Sequence, residues 1–97
     1  MEQINCPQYI SAWKVGNVAM LRQKVQSGIP AEGAQLPSSL IPKDEITFIG
    51  KANNGADTWS QGFRIDTNGL LTARASNDNS AIAVTWTAWS VTYITAN

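Results

Sequence analysis

Four tryptophans in 97 residues, Trp13, Trp59, Trp86 and Trp89, are the side chains with the most chemistry to offer. An indole presents an apolar face that stacks on the C–H face of a sugar ring, while nearby Asp, Asn or Arg side chains bond the hydroxyls. A few placed polar groups beside aromatics are the usual composition of a binding pocket. Residues 53–59 read N-N-G-A-D-T-W, and a second polar stretch, residues 76–80, reads S-N-D-N-S. Asn54, Asp57, Trp59, Asn77 and Asp78 therefore form the candidate saccharide site, with Trp89 as the alternative stacking face. The competing reading is that residues 53–57 only make turns and Trp59 packs inward. Trp13 reads as core, and one of Trp86 and Trp89 belongs to the core or to a subunit interface.

Covalent and metal chemistry has little to work with. The chain has no histidine and one cysteine, so a zinc site, a serine triad or a histidine acid–base pair cannot be assembled. The glycines are scattered among turn residues and form no phosphate-cradling loop. Two carboxylates would suffice for a glycosidase, but Asp44, Asp57, Asp66 and Asp78 all sit among turn residues. The chain reads as non-enzymatic, with no cofactor and no metal. Cys6, beside Pro7, reads as an inert thiol and fits assembly in a reducing cytoplasm. Seven Lys and Arg balance seven Asp and Glu, so no net basic field attracts nucleic acid or an anionic membrane. The apolar runs fall far short of the ~20 residues of a membrane span, and no signal-peptide pattern opens the chain.

The elements that must position these side chains are strands. Residues 59–75 (W-S-Q-G-F-R-I-D-T-N-G-L-L-T-A-R-A) are the organising hairpin. A two-residue turn at Asn68-Gly69 mixes apolar and polar residues on each face. A type I turn over residues 66–69 with Gly69 left-handed puts Ile65 opposite Leu71 and Phe63 opposite Ala73, giving one apolar face. The second register is preferred, because a one-residue slip reverses every side chain. It turns Arg64, Asp66, Thr72 and Arg74 outward and leaves Leu70 exposed for a neighbouring subunit to cover.

Earlier in the chain, Gly16-Asn17 between apolar runs signals a type II′ hairpin pairing Val15 with Val18 and Trp13 with Met20, an apolar face directed at the core. A helix through Val18, Leu21 and Val25 is the rival; the hairpin is preferred because its turn and both faces agree. Residues 1–8 read as a lead-in to a domain over residues 9–97. Residues 28–44, with three of the four prolines, read as a long connection packed over the body of the domain. A strand is expected at residues 45–50, a polar loop at 51–58, and strands at 82–86 and 91–95 joined by a bend at 87–89. One strand over residues 81–95 would stretch roughly 50 Å, too long for this domain. About seven short strands without a convincing helix predict an all-β antiparallel barrel or sandwich. A domain this small gains from burying surface in an oligomer.

The run W-K-V-G-N-V-A-M-L, an L-I-P before a strand, then F-R-I-D-T-N-G-L-L-T and a closing V-T-Y-I-T together resemble the C-terminal receptor-binding head domains of phage tail-fibre and baseplate proteins. Phages of lactic acid bacteria and other Gram-positive hosts give the nearest comparison. The resemblance implies a small β-barrel, a parallel homotrimer at the tail tip of a virion, and adhesion to a host cell-wall saccharide or teichoic-acid-like polymer. It also implies a place after upstream fibre or baseplate segments, and the Y-I-T-A-N ending fits the end of such a fibre. That family's binding residues sit on variable loops, so none transfers by motif. A ligand-free trimerisation adaptor and a carbohydrate-binding module unrelated to phage are the alternatives.

Overall fold

The computed structural model describes residues 2–23 and 27–97. Among these residues nine strands form one antiparallel sheet: β1 (Glu2–Asn5), β2 (Ser11–Val15), β3 (Val18–Gln23), β4 (Ala34–Gln35), β5 (Ile46–Asn53), β6 (Thr58–Ile65), β7 (Leu70–Arg74), β8 (Ala81–Ile82) and β9 (Trp86–Ile94). Their order across the sheet is β1-β2-β3-β9-β5-β6-β7-β4, with β8 also paired to β7. The sheet curls into a half-barrel, so the fold is all-β and antiparallel as expected.

The β6–β7 hairpin has the expected register. Phe63 faces Ala73 and Ile65 faces Leu71. The Asp66 carboxylate accepts the N–H groups of Asn68 at 2.8 Å and Leu70 at 3.0 Å, which closes the turn from its first position. Gly69 takes a φ of 82° and donates its N–H to the Asp66 carbonyl at 2.9 Å. The other face departs from expectation. Thr72 is buried and Leu70 is half-buried, because β4 pairs along β7 and Gly33 backs onto the Thr72 side chain. The chain itself covers Leu70, the residue left for a neighbouring subunit in the sequence reading.

The β2–β3 hairpin also keeps its register, with Val15 opposite Val18, Trp13 opposite Met20, and Gly16 at a φ of 59°. Its faces are reversed. Ala12, Ala19 and Leu21 point into the core, while Val15, Val18 and Met20 are exposed and Trp13 is half-buried beside them. Alternation defines two faces without saying which is inside. Here the small face fits the space left over: Ala19 lies directly across from Tyr93, whose ring belongs to the core. The described part of this segment is strand, and Val25 of the rival helical spacing lies outside the described residues.

Residues 86–94 form one strand without the expected bend, because β9 changes partner midway. Ala88 pairs with Lys51 of β5, and Trp89 pairs with Gln23 of β3. The strand expected at residues 82–86 reduces to β8 and an isolated bridge between Ile29 and Val84. β5 runs on to Asn53, so the loop expected at residues 51–58 shrinks to residues 54–57. The expected lead-in contributes edge strand β1 to the sheet. Residues 27–45 do lie across the body, burying Ile29, Leu36 and Leu40, and the Tyr93 hydroxyl donates to the Leu40 carbonyl at 2.7 Å.

The two turn glycines separate backbone conformation from packing. A Cβ on Gly69 would sit 2.9 Å from Ile41 Cγ1, whereas one on Gly16 would meet nothing within 4 Å. Gly16→Ala is expected to lower stability by about 1 kcal/mol, the left-handed cost alone. Gly69→Ala adds a clash and is expected to cost more. Equal urea-unfolding midpoints for Gly69→Ala and the unmodified chain would refute this account of the turn.

Candidate functional site

The site follows from two strands of unequal length. β5 pairs with β6 along its whole course from Thr58 to Ile65, but β7 pairs with β6 only as far as Gly62. Residues 58–61 are left with a free edge. The chain leaving β7 turns back sharply: Ser80 accepts the Ala75 N–H at 2.9 Å, Ala75 accepts the Asn79 N–H at 3.0 Å, and Asn79 takes a φ of 59°. Between that turn and the free edge runs an open cleft of 730 Å³. Trp59, Ser60 and Gln61 contribute to one wall, and Arg74, Ser76 and Asn77 to the other.

The indole in this cleft is held in place. Trp59 is 38% exposed, and its Nε1 donates to Gln61 Oε1 at 2.8 Å. Gln61 is buried and donates in turn to the Arg74 carbonyl at 2.6 Å and the Gly62 carbonyl at 3.1 Å. The amide thus fixes the aromatic ring and spans the gap where β7 ends. A ring held by buried hydrogen bonds loses little freedom when a flat apolar partner stacks on it.

The structure brings Trp59 and Asn77 to one surface and leaves the other four expected residues elsewhere. Asn54 and Asp57 close the β5–β6 turn: the Asn54 side-chain oxygen accepts the N–H groups of Ala56 at 3.0 Å and Asp57 at 2.8 Å. Asp78 is spent within its own turn. The Ser80 hydroxyl and then its N–H, at 3.1 Å, hold the Asp78 carboxyl below the usual carboxylate range. Trp89 is core. It is 6% exposed, its ring lies 5.1 Å from Phe48 and 5.8 Å from Phe63, and its Nε1 donates to Gln23 Oε1 at 2.9 Å. No stacking face remains on it, and the alternative site falls. Trp86 is the exposed member of that pair.

Ser60, Gln61, Arg74 and Asn79 line the cleft and were missed by the sequence reading. One signal was present. Gln61 continues the inward alternation of Ile65 and Phe63 with a polar side chain, a break in the pattern that marks a buried amide with a task. No protein-family model matches the chain, and no curated protein matches it in sequence.

Cys6 lies away from the cleft and is half-buried. Burial pushes its thiol from 9.0 up to about 11. Tyr93 is also raised, chiefly by burial and further by the charge Cys6 would carry. Among the described residues no three Cys, Asp or Glu side chains gather as metal ligands. Because both groups release protons more readily in the unfolded chain, stability is full below pH 9 and falls as pH rises from about 9 through 11. Thermal melting across that range is expected to show the decline, and Cys6→Ala is expected to reduce it. A flat profile would contradict the burial of both groups.

Proposed function

We propose that this chain is a non-catalytic saccharide-binding domain whose binding surface is the cleft along the free edge of β6. The observation that carries the reading is the half-exposed Trp59 ring, fixed by Gln61, on a surface shared with Ser60, Ser76, Asn77 and Asn79. A stacking face with hydroxyl and amide groups around it is what a sugar ring requires. The resemblance to receptor-binding head domains of phage tail fibres and baseplates extends the proposal: the ligand is a host cell-wall polymer, and the domain serves adhesion at a virion tail tip. Trp59→Ala is expected to weaken glycan binding at least about tenfold, and Asn77→Ala less, since one hydrogen bond contributes ~0.5–1.5 kcal/mol. Asp57→Ala is expected to change binding little. Calorimetry against glycans selected on an array tests this, and unchanged affinity in folded Trp59→Ala would end the proposal for this cleft.

A second observation favours assembly. Val15, Val18 and Ile94 form one outward row across β2, β3 and β9, and Trp13 and Met20 lie in the next row with Thr92. Val15, Val18, Met20 and Ile94 are between 37% and 57% exposed. A contiguous apolar sheet face of this kind, bordered by the exposed Arg22 in the row beyond Met20, fits a second copy of the chain. The trimer implied by the resemblance would bury it. Light scattering of the isolated domain is expected to give a trimer mass that falls on Met20→Lys; a monomer mass at micromolar concentration would reject assembly through this face.

A further inference from the structure

Asn–Gly occurs twice in the chain, at residues 54–55 and 68–69, and both pairs lie in hairpin turns. The pair has a chemistry of its own, because glycine has no Cβ to shield its nitrogen. In water that nitrogen can attack Cγ of the preceding asparagine and displace ammonia. Both pairs have the same intrinsic chemistry, so a difference between them is made by the fold.

At residues 68–69 the peptide unit is held from both ends. The Asn68 carbonyl accepts Gln35 Nε2 at 2.8 Å, and the Gly69 N–H donates to the Asp66 carbonyl at 2.9 Å. Gly69 is buried, its carbonyl accepts the Leu36 N–H at 2.9 Å, and Ile41 and Gln35 close the space beside its Cα. The Asn68 N–H is also taken, by the Asp66 carboxylate at 2.8 Å. Attack requires the Gly69 nitrogen to leave its bond and the peptide plane to swing. The crossing segment of residues 27–45, packed against this turn, opposes both movements.

Residues 54–55 differ on each point. Both are exposed, and a Cβ on Gly55 would meet nothing within 4 Å. The Gly55 N–H goes to a side chain, Asn53 Oδ1, rather than to backbone. The Asn54 carboxamide folds back over the turn, because its Oδ1 accepts the N–H groups of Ala56 at 3.0 Å and Asp57 at 2.8 Å. That fold turns the carbon to be attacked toward the Gly55 nitrogen. It also aims two donors at the oxygen on which negative charge collects as the new bond forms, the arrangement by which enzymes stabilise such an oxyanion.

We propose that Asn54–Gly55 is a self-modification site of the folded chain, closing to a succinimide while Asn68–Gly69 stays intact. The Gly55 nitrogen bonds to Asn54 Cγ and gives its proton to solvent, and the side-chain nitrogen leaves as ammonia after taking a proton from water. A second water opens the ring. Cleavage at Cγ gives aspartate, and cleavage at the former backbone carbonyl gives isoaspartate. One water is consumed and one ammonia released overall, with no change of oxidation state. The net charge of zero gains one negative charge. The isoaspartyl product also adds one carbon to the backbone of a turn closed by the Asn54 N–H on the Asp57 carbonyl at 3.2 Å.

The test is to incubate the folded chain at mildly alkaline pH, separate the products by charge, and map aspartate and isoaspartate at both positions by mass spectrometry. Position 54 is expected to convert at least about tenfold faster than position 68, the effect on a barrier of one or two hydrogen bonds. In urea strong enough to unfold the chain the two rates are expected to converge. Gln35→Ala, at an exposed position, frees the Asn68 carbonyl and is expected to raise conversion at position 68 while leaving position 54 unchanged. Asn54→Gln, whose ring would be one atom larger, is expected to remove the early acidic species. Equal conversion at the two positions in the folded chain, or earlier conversion at position 68, would overturn the proposal. So would a slower rate at position 54 in the folded chain than in urea, because the turn would then shield Asn54 as well.

Discussion

One buried amide holds the two halves of the sheet in a fixed relation. Gln23 sits where β9 stops pairing with β5 and starts pairing with β3, and its side chain is almost wholly buried. Its Nε2 donates to the carbonyls of Gln8 at 2.7 Å and Gly28 at 3.4 Å, and its Oε1 accepts from Trp89 Nε1 and from the Thr87 hydroxyl. Both donors and both lone pairs are used, which is the condition under which a buried amide adds specificity without leaving a polar group unmet. The β1–β2 connection, the start of the crossing segment, and the Phe48–Phe63–Trp89 cluster all take their positions from this seam. Ser27 reinforces it by accepting the Thr87 N–H at 3.0 Å.

What could be read from the sequence was local. Turn chemistry at Gly16-Asn17 and at residues 66–69 set two hairpin registers, because a left-handed position and an Asp at the first turn position leave few alternatives. What could not be read was decided by neighbours far along the chain. The β2–β3 hairpin carries apolar residues on both faces, so alternation alone did not orient it. Trp89 and Trp59 have similar local surroundings in sequence, and only the partner exchange of β9 makes one core and the other rim. The crossing segment hides Thr72 and half of Leu70, which no pattern within the β6–β7 hairpin announces.

The candidate site divides in the same way. Trp59 and Asn77 were legible, since the two ends of a hairpin lie side by side and polar loops leave from both. Asn54 and Asp57 were expected in a loose loop, but β5 and β6 extend to Asn53 and Thr58 and leave them to close a tight turn. The cleft exists because β6 outlasts β7, a length mismatch that propensity does not encode. Rigid strands on one side and a tight turn on the other give a surface whose shape is set before a ligand arrives.

The position of β9 has a consequence for how the chain acquires its structure. It is the last of the nine strands in sequence, yet it lies in the middle of the sheet, bonded to β3 on one side and β5 on the other. The β2–β3 and β5–β6–β7 units are built from near neighbours and can form while the chain is still being synthesised. Their joining waits for residues 86–94 to become free of the ribosome, and it closes loops of some seventy residues to β3, from Gln23–Trp89 to Val18–Ile94. Such high contact order slows the final step. Until it occurs, two unpaired strand edges, one of them on β3 next to the apolar outer face, are open to the wrong partner.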